Sequence, residues 1–181
     1  MPNTTGEAVG RGSRGALGLG LLTAMIVLSA DQFSKYWILY GFHLPDKGSV
    51  PILPGLNFTM VWNTAVTFGM FSRAGSSGRI IFSAVALLIV GGLLVWMARS
   101  RRPLITCAVG AIAGGAIGNV IDRLRYGAVV DFIHLHAAGW SWYVFNVADS
   151  AIVCSVAALI VDGLLQDGGR PADGRKPVAD D

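Results

Sequence analysis

Charge is what this chain has least of. Asp, Glu, Lys and Arg make up 14% of its 181 residues, against about 25% in a soluble domain. So few charges argue against a water-facing globule. Cysteine is rarer still. Cys107 and Cys154 are the only two, and both sit inside apolar runs, so no disulfide framework is indicated. Nothing nearby would activate either thiol as a nucleophile. There is no G-x-S-x-G turn for a serine nucleophile and no H-E-x-x-H helix for a catalytic zinc. The basic residues form no aromatic-laced patch, which argues against a nucleic-acid partner. What is present instead is apolar mass. Hydrophobic residues are 53% of the chain, glycines number 24, and the mean hydropathy is +0.57. That composition indicates an integral membrane protein of one domain.

A spanning helix needs about 20 mostly apolar residues. Four segments qualify: Ala16–Tyr40, Ile80–Ala98, Leu104–Ile121 and Val147–Leu165. Arg11 and Arg14 ahead of the first run imitate a secretory leader. Apolar character continues past Ala30 and three spans follow, so the first span is read as retained. Residues 1–15 and 166–181 are rich in Gly, Pro and charge. They are expected to be disordered tails flanking a single four-span domain, residues 16–165. Arginines set the orientation. Arg99, Arg101 and Arg102 crowd the turn between spans two and three, Arg11 and Arg14 precede span one, and Arg170, Arg175 and Lys176 follow span four. With four spans these regions share one side, the cytoplasm.

The loops Gly41–Arg79 and Asp122–Asn146 then face outward. Tyr36, Trp37, Tyr40, Trp62, Trp140, Trp142 and Tyr143 fall at the outer ends, at headgroup level. Ile52–Trp62 and Ala128–His136 are β-branched and aromatic with partial alternation, so a small sheet on the outer membrane surface is expected. Gly110, Gly114 and Gly118 leave a bare stripe on span three, and Ala16, Gly20 and Ala24 a weaker one on span one. Both read as helix-packing seams.

Ionisable groups in spans are costly and by default suggest function. Asp31 lies in the outer half of span one, Asp122 ends span three, Asp149 opens span four, and Asp131 lies in the loop between them. Carboxylates scattered along the chain thus converge on one face of the membrane. Asp162, near the cytoplasmic end of span four, reads as an interfacial residue without a role. Asp31 precedes Lys35 by four residues, the favourable order for a helical ion pair, and a purely structural role fits that pair. Asn119 and Asp122 share a helix face, with Arg123 alongside. Arg123 can anchor Asp122 or bind a phosphate or carbonyl of a lipid-bearing ligand. A charged end to the span is the plainer alternative.

Asp131 stands in the apolar run VVDFI, where desolvation favours its protonated form. Asp149 stands in the first turn of a helix, whose N-terminus favours the ionised form. A fold that brings them together would leave one holding a proton and the other ionised. That arrangement can activate water and protonate a leaving amine. A carboxylate-pair hydrolase is therefore the first reading. An ion-coupled transporter is the second, but the acids cluster at one side and no inverted repeat is visible. A non-enzymatic scaffold is the third, and it leaves Asn119, Asp122, Arg123 and Asn146 without a reason to gather. His134 and His136 beside Asp131 make no supported metal site, so neither metal nor other cofactor is expected.

Five motifs then give the chain a family resemblance. They are DQFSK (Asp31–Lys35), NTAVTFG (Asn63–Gly69), GNVIDR (Gly118–Arg123), GAVVDF (Gly127–Phe132) and FNVADS (Phe145–Ser150). In order and approximate spacing the chain resembles the lipoprotein signal peptidases, the signal peptidase II family of bacterial intramembrane aspartic proteases. The resemblance covers about Ala16–Leu165. It implies a catalytic dyad of Asp131 and Asp149. It also implies that Asn63, Asn119, Asp122, Arg123 and Asn146 shape the site and hold the substrate backbone or lipid-linked cysteine, with Asp31 and Lys35 supporting the structure nearby. The implied reaction is cleavage of a prolipoprotein just before its diacylglyceryl-modified cysteine, at the outer face of the bacterial inner membrane, by a monomer. The chain departs from the family pattern at Ala65, where Gly is usual, and at Val66 and Thr67, where small residues are. The expected fold is an all-α integral membrane protein of four transmembrane helices with a small β-rich extracytoplasmic subregion.

Overall fold

No proline falls between Pro2 and Pro45, so nothing in that stretch forces the first helix to stop. In the computed structural model, which describes residues 4–64 and 75–167, α1 runs from Thr4 to Tyr36. It therefore starts ahead of Ala16, inside the stretch expected to be a disordered tail. A π-helical turn, Trp37–Gly41, and a short α2, Leu44–Lys47, lead into β1 (Ser49–Leu53) and β2 (Leu56–Asn63). Then come α3 (Gly75–Arg99), α4 (Pro103–Tyr126), β3 (Val129–Ala137), β4 (Trp140–Ser141) and α5 (Val147–Asp167). The expected strand region Ile52–Trp62 is thus two strands. Pro54 and Gly55 turn the chain between them, with Gly55 at φ 86°, a left-handed conformation that glycine adopts without steric cost.

Among the described residues, three helical stretches are long and apolar enough to cross a membrane: Gly15–Gly41, Pro103–Tyr126 and Val147–Gln166. The apolar stretch described within α3, Ser83–Arg99, is shorter. Met25 and Ile26 on α1, Leu88 on α3, and Val153, Leu164 and Leu165 on α5 are exposed. Helices apolar on their outer faces suit lipid, not water. At the end of the bundle where the expected arginine-rich turn lies, Asp162 is not idle. It accepts a hydrogen bond from Arg102 Nη2 at 2.7 Å, in a partly exposed pair worth at most about 1 kcal/mol.

The central helix is α4, with α1, α3 and α5 packed around it. The two small-residue stripes meet each other. A Cβ on Gly110 would collide with the backbone of Gly20, and one on Gly114 with the backbone of Ala24. One on Gly115 would meet Ala148 O at 2.8 Å. Backbone against backbone leaves no flexible side chain to yield. We predict that Gly114→Leu forces α1 from α4 and destabilises the fold by about 3 kcal/mol, the upper range for overpacking. Loss of folded protein on mild heating in detergent is the measurement, with Gly91→Leu, where a Cβ meets nothing within 4 Å, as the control.

The four strands form one antiparallel sheet in sequence order. Beneath it lies an apolar cluster of Ile38, Leu39, Leu44, Val130 and Phe132. The Phe58 ring meets Phe42 and Phe132 edge-on, at 5.9 and 5.8 Å between centroids. Gly127, at φ 80°, closes α4 with its N–H on Arg123 O and turns the chain into β3, a left-handed helix cap. Ile133 then exchanges backbone hydrogen bonds with Phe145, at 2.8 and 3.0 Å. That pairing docks the start of α5 against β3. Across β2 and β3, Val61 pairs with Asp131.

Candidate active site

Asp131 is 1% exposed, yet its carboxylate is not bare. Asn63 Nδ2 donates to Oδ2 at 2.8 Å, and Asn146 Nδ2 donates to Oδ1 at 2.6 Å. Burial pushes its pKa up to about 6, with the Asp149 charge adding to the rise and the two amide donors opposing it. Asp149 is only half-buried. Asn119 Nδ2 donates to its Oδ1 at 2.9 Å.

Asn146 joins the two acids. Its Oδ1 accepts the N–H of Asp149 at 2.9 Å, while its own N–H donates to Asp149 Oδ2 at 3.3 Å. This is the reciprocal pattern of a helix capping box, built here from Asn and Asp. The same Asn146 side chain reaches back to Asp131 and, at 3.3 Å, to Asn119 Oδ1. The sequence FNVAD therefore starts α5 and links Asp131 to Asp149 with one residue.

Arg123 Nη1 donates to Asn119 O at 3.2 Å, and its charge acts on Asp149, Asp131 and Asp122. The anchor of Asp122 is not Arg123 but Lys35, at 2.7 Å. Lys35 also pairs with Asp31 at 2.8 Å and donates to Asn119 Oδ1 at 3.0 Å. An ammonium has three protons to donate, and these contacts use all three. Asp31, Lys35 and Asp122 are at most 2% exposed, and burying such charges is tolerated only when they are paired and hydrogen-bonded.

All nine residues singled out in the sequence thus meet at one end of the bundle: Asp31, Lys35, Asn63, Asn119, Asp122, Arg123, Asp131, Asn146 and Asp149. Sequence reasoning missed Gln32. Its amide donates to Asp31 Oδ2 at 3.2 Å, Gly118 O at 3.3 Å and Asp122 Oδ1 at 3.1 Å. The signal was present, since a primary amide at membrane depth is as anomalous as a charge. His134 is committed to Ser141 and Thr59, and His136 to Asn57. The departures at Ala65, Val66 and Thr67, and with them most of NTAVTFG, lie outside the described residues.

A family model described as signal peptidase (SPase) II matches residues 23–165. A protein named lipoprotein signal peptidase from Rhodopseudomonas palustris (strain TIE-1) is 49% identical over 158 residues, covering 85% of this chain and 94% of that protein. One of the same name from Methylorubrum extorquens (strain PA1) is 48% identical over 161 residues, covering 89% and 91%. A bacterial membrane enzyme solved by the in meso method at 2.3 Å resolution superposes with a TM-score of 0.71 at 29% identity, covering 88% of this chain and 94% of that one. The match spans the whole region that carries the five motifs, and the chain belongs to the signal peptidase II family.

Proposed function

We propose that this chain is an intramembrane aspartic endopeptidase. It removes the signal peptide from diacylglyceryl-modified prolipoproteins by cleaving before the lipid-modified cysteine, with Asp131 and Asp149 as the dyad. One observation carries the reading. Two carboxylates of unlike burial, from β3 and α5, share Asn146 as a bridge. Asp149, only half-buried, stands in the first turn of α5, where water can reach it and a helix N-terminus suits a carboxylate. Asp131, buried and with its pKa near 6, is the one to hold a proton.

Water hydrogen-bonded to Asp149 loses a proton to it as the water oxygen bonds to the scissile carbonyl carbon. The tetrahedral species collapses, the C–N bond breaks, and the leaving amine of the lipidated cysteine takes the proton from Asp131. Asp149 is left protonated and Asp131 ionised, and one proton passed back resets the pair. The guanidinium of Arg123 offsets negative charge that builds as the carbonyl oxygen becomes an alkoxide.

The proton on Asp131 gives the pH dependence its sign. As pH rises through the pKa near 6, the donor form is lost and cleavage falls on an alkaline limb, a macroscopic property of the pair. The Asn63 hydrogen bond favours ionised Asp131. Asn63→Ala therefore raises that pKa further and moves the alkaline limb to higher pH, measured by single-turnover cleavage across pH 5 to 9 (a range of about four units around the value).

Four spans with both termini in the cytoplasm belong to the same proposal, as does a location in the bacterial inner membrane and action as a monomer. Support comes from α3, whose 25 residues at about 1.5 Å each exceed the roughly 30 Å hydrocarbon core, and from Arg99, Arg101 and Arg102 at the turn that follows. The dyad then lies at the outer interface, where the scissile bond of a lipid-anchored precursor sits. Acyl chains stay in lipid while water arrives from outside.

The test uses the full-length chain in lipid with a diacylglyceryl-modified precursor. Mass spectrometry should find one new N-terminus, at the modified cysteine, and the unmodified precursor should stay intact. Cleavage elsewhere, or none at any pH, overturns the proposal.

A further inference from the structure

Two hydrogen bonds remote in sequence have the same form. Asp31 Oδ1 accepts the backbone N–H of Ala148 at 3.0 Å. Asp122 Oδ2 accepts the backbone N–H of Val130 at 3.1 Å. Both bonds are buried. Ala148 immediately precedes Asp149, and Val130 immediately precedes Asp131. Each grip comes from a different helix, α1 or α4, and holds a different element, α5 or β3. Lys35 Nζ then joins the two gripping carboxylates, at 2.8 and 2.7 Å, and Gln32 Nε2 spans the same two, at 3.2 and 3.1 Å.

We infer that Lys35, Asp31 and Asp122 form a tie that sets the separation of the Asp131 and Asp149 carboxylates, with Lys35 the positioning residue for both at once. The inference rests on the dyad proposed above. The grips fall on backbone, one residue before each acid, so they fix where each side chain is rooted. Asn146 links the side chains themselves, and Phe145 pairs with Ile133 two residues past Asp131. The tie adds a second root, on the backbone immediately before each acid. It also reaches Asp149 through Asn119, because the third Lys35 proton goes to Asn119 Oδ1, whose amide bonds Asp149. A buried ionic triad gains little stability over an apolar plug of the same volume. Its distinctive property is directional geometry. Reacting groups displaced by about 1 Å lose roughly 10²-fold in rate.

Lys35→Arg isolates this property. It keeps the positive charge between Asp31 and Asp122 but replaces a compact ammonium by a planar fork, which holds the two carboxylates further apart. The readouts are kcat, KM and the pH profile on the diacylglyceryl-modified precursor, with folded protein quantified alongside. The expected result is a fall in kcat of roughly 10²-fold with KM unchanged. The alkaline limb moves to lower pH, because a more distant Asp149 charge raises Asp131 less. Asp122→Asn is the second variant. It keeps an acceptor for Val130 N–H, breaks the ion pair to Lys35, and should show the same lower kcat with unchanged KM. A merely structural role predicts less folded protein whose surviving fraction has native kcat and a native limb in both variants, and that result overturns the tie. Native cleavage by Asp131→Asn and Asp149→Asn strikes the dyad instead, in a separate measurement.

Discussion

Asp131→Asn and Asp149→Asn each lower kcat by about 10²–10⁴-fold, the contribution of a positioned acid or base, while leaving folded protein in the membrane. The amide matches each carboxylate in shape, so packing survives. At Asp149 one oxygen remains to accept from Asn119 or from the Asn146 N–H, and the start of α5 persists. At Asp131 the amide turns an NH2 toward one of Asn63 and Asn146, which now donate to its two oxygens, and losing that hydrogen bond costs about 1–3 kcal/mol. An opposing effect has a definite sign. The folded pKa of Asp131 is raised from 3.8 to about 6, so ionisation disfavours the folded state. The penalty is absent below the unfolded value and complete above the folded one. Asp131→Asn removes it, so its stability relative to the native chain improves between pH 4 and 6 (about the two pKa values). The pair acts as a unit, so the double variant should be little worse than either single one. Uncut lipid-modified precursor accumulating with intact enzyme is the cellular readout, and normal processing in both variants removes the dyad from the reaction.

Much of the fold was legible because few residues carried its information. Gly110 and Gly114 stood out at helical spacing, and so did Gly20 and Ala24. That the first pair seats on the second is a tertiary fact, which no local spacing specifies. The strands of the sheet were legible from Ile52–Trp62 and Ala128–His136, but the turn at Pro54–Gly55 was absorbed into a strand, although Pro followed by Gly is turn chemistry. The π-helical turn Trp37–Gly41 left no local mark, because its residues WILYG read as continued span.

The site was legible in its members and not in its wiring. Scarcity of charge made each aspartate visible, and VVDFI against FNVAD separated a buried acid from a helix-start acid. The partners were another matter. Asp122 lies next to Arg123 in sequence and pairs with Lys35 in space. Neighbours in sequence compete with neighbours made by packing, and the α1–α4 seam brings Lys35 onto Asp122 while Arg123 bonds Asn119 O. Asn146 looked like a ligand for substrate. Its cap on α5 is local to FNVAD, but its bond to Asp131 comes with the docking of β3 on Phe145.

That wiring makes Lys35→Met the substitution with the largest expected loss of stability. The thermal transition in detergent should fall by the equivalent of 3–5 kcal/mol, about the cost of stripping one partner from a buried charge pair. Asp31 and Asp122 are 0% and 1% exposed. Without the ammonium they face each other with Gln32 as the shared donor, and neither can reach water to recover its hydration. Asn119 Oδ1 loses its charged donor as well and keeps the bond from Asn146. If uncompensated charge is the cause, a second substitution should repair the first. Adding Asp122→Asn to Lys35→Met removes one of the two facing negative charges and keeps an acceptor for Val130 N–H. The double variant should therefore be more stable than Lys35→Met alone, a coupling opposite in sign to simple addition. A double variant less stable than the single one would mean that Lys35 acts through packing of its methylene stem. Cleavage should not return with stability, because the repaired cluster has no ammonium left to join Asp31 to the Asp122 side.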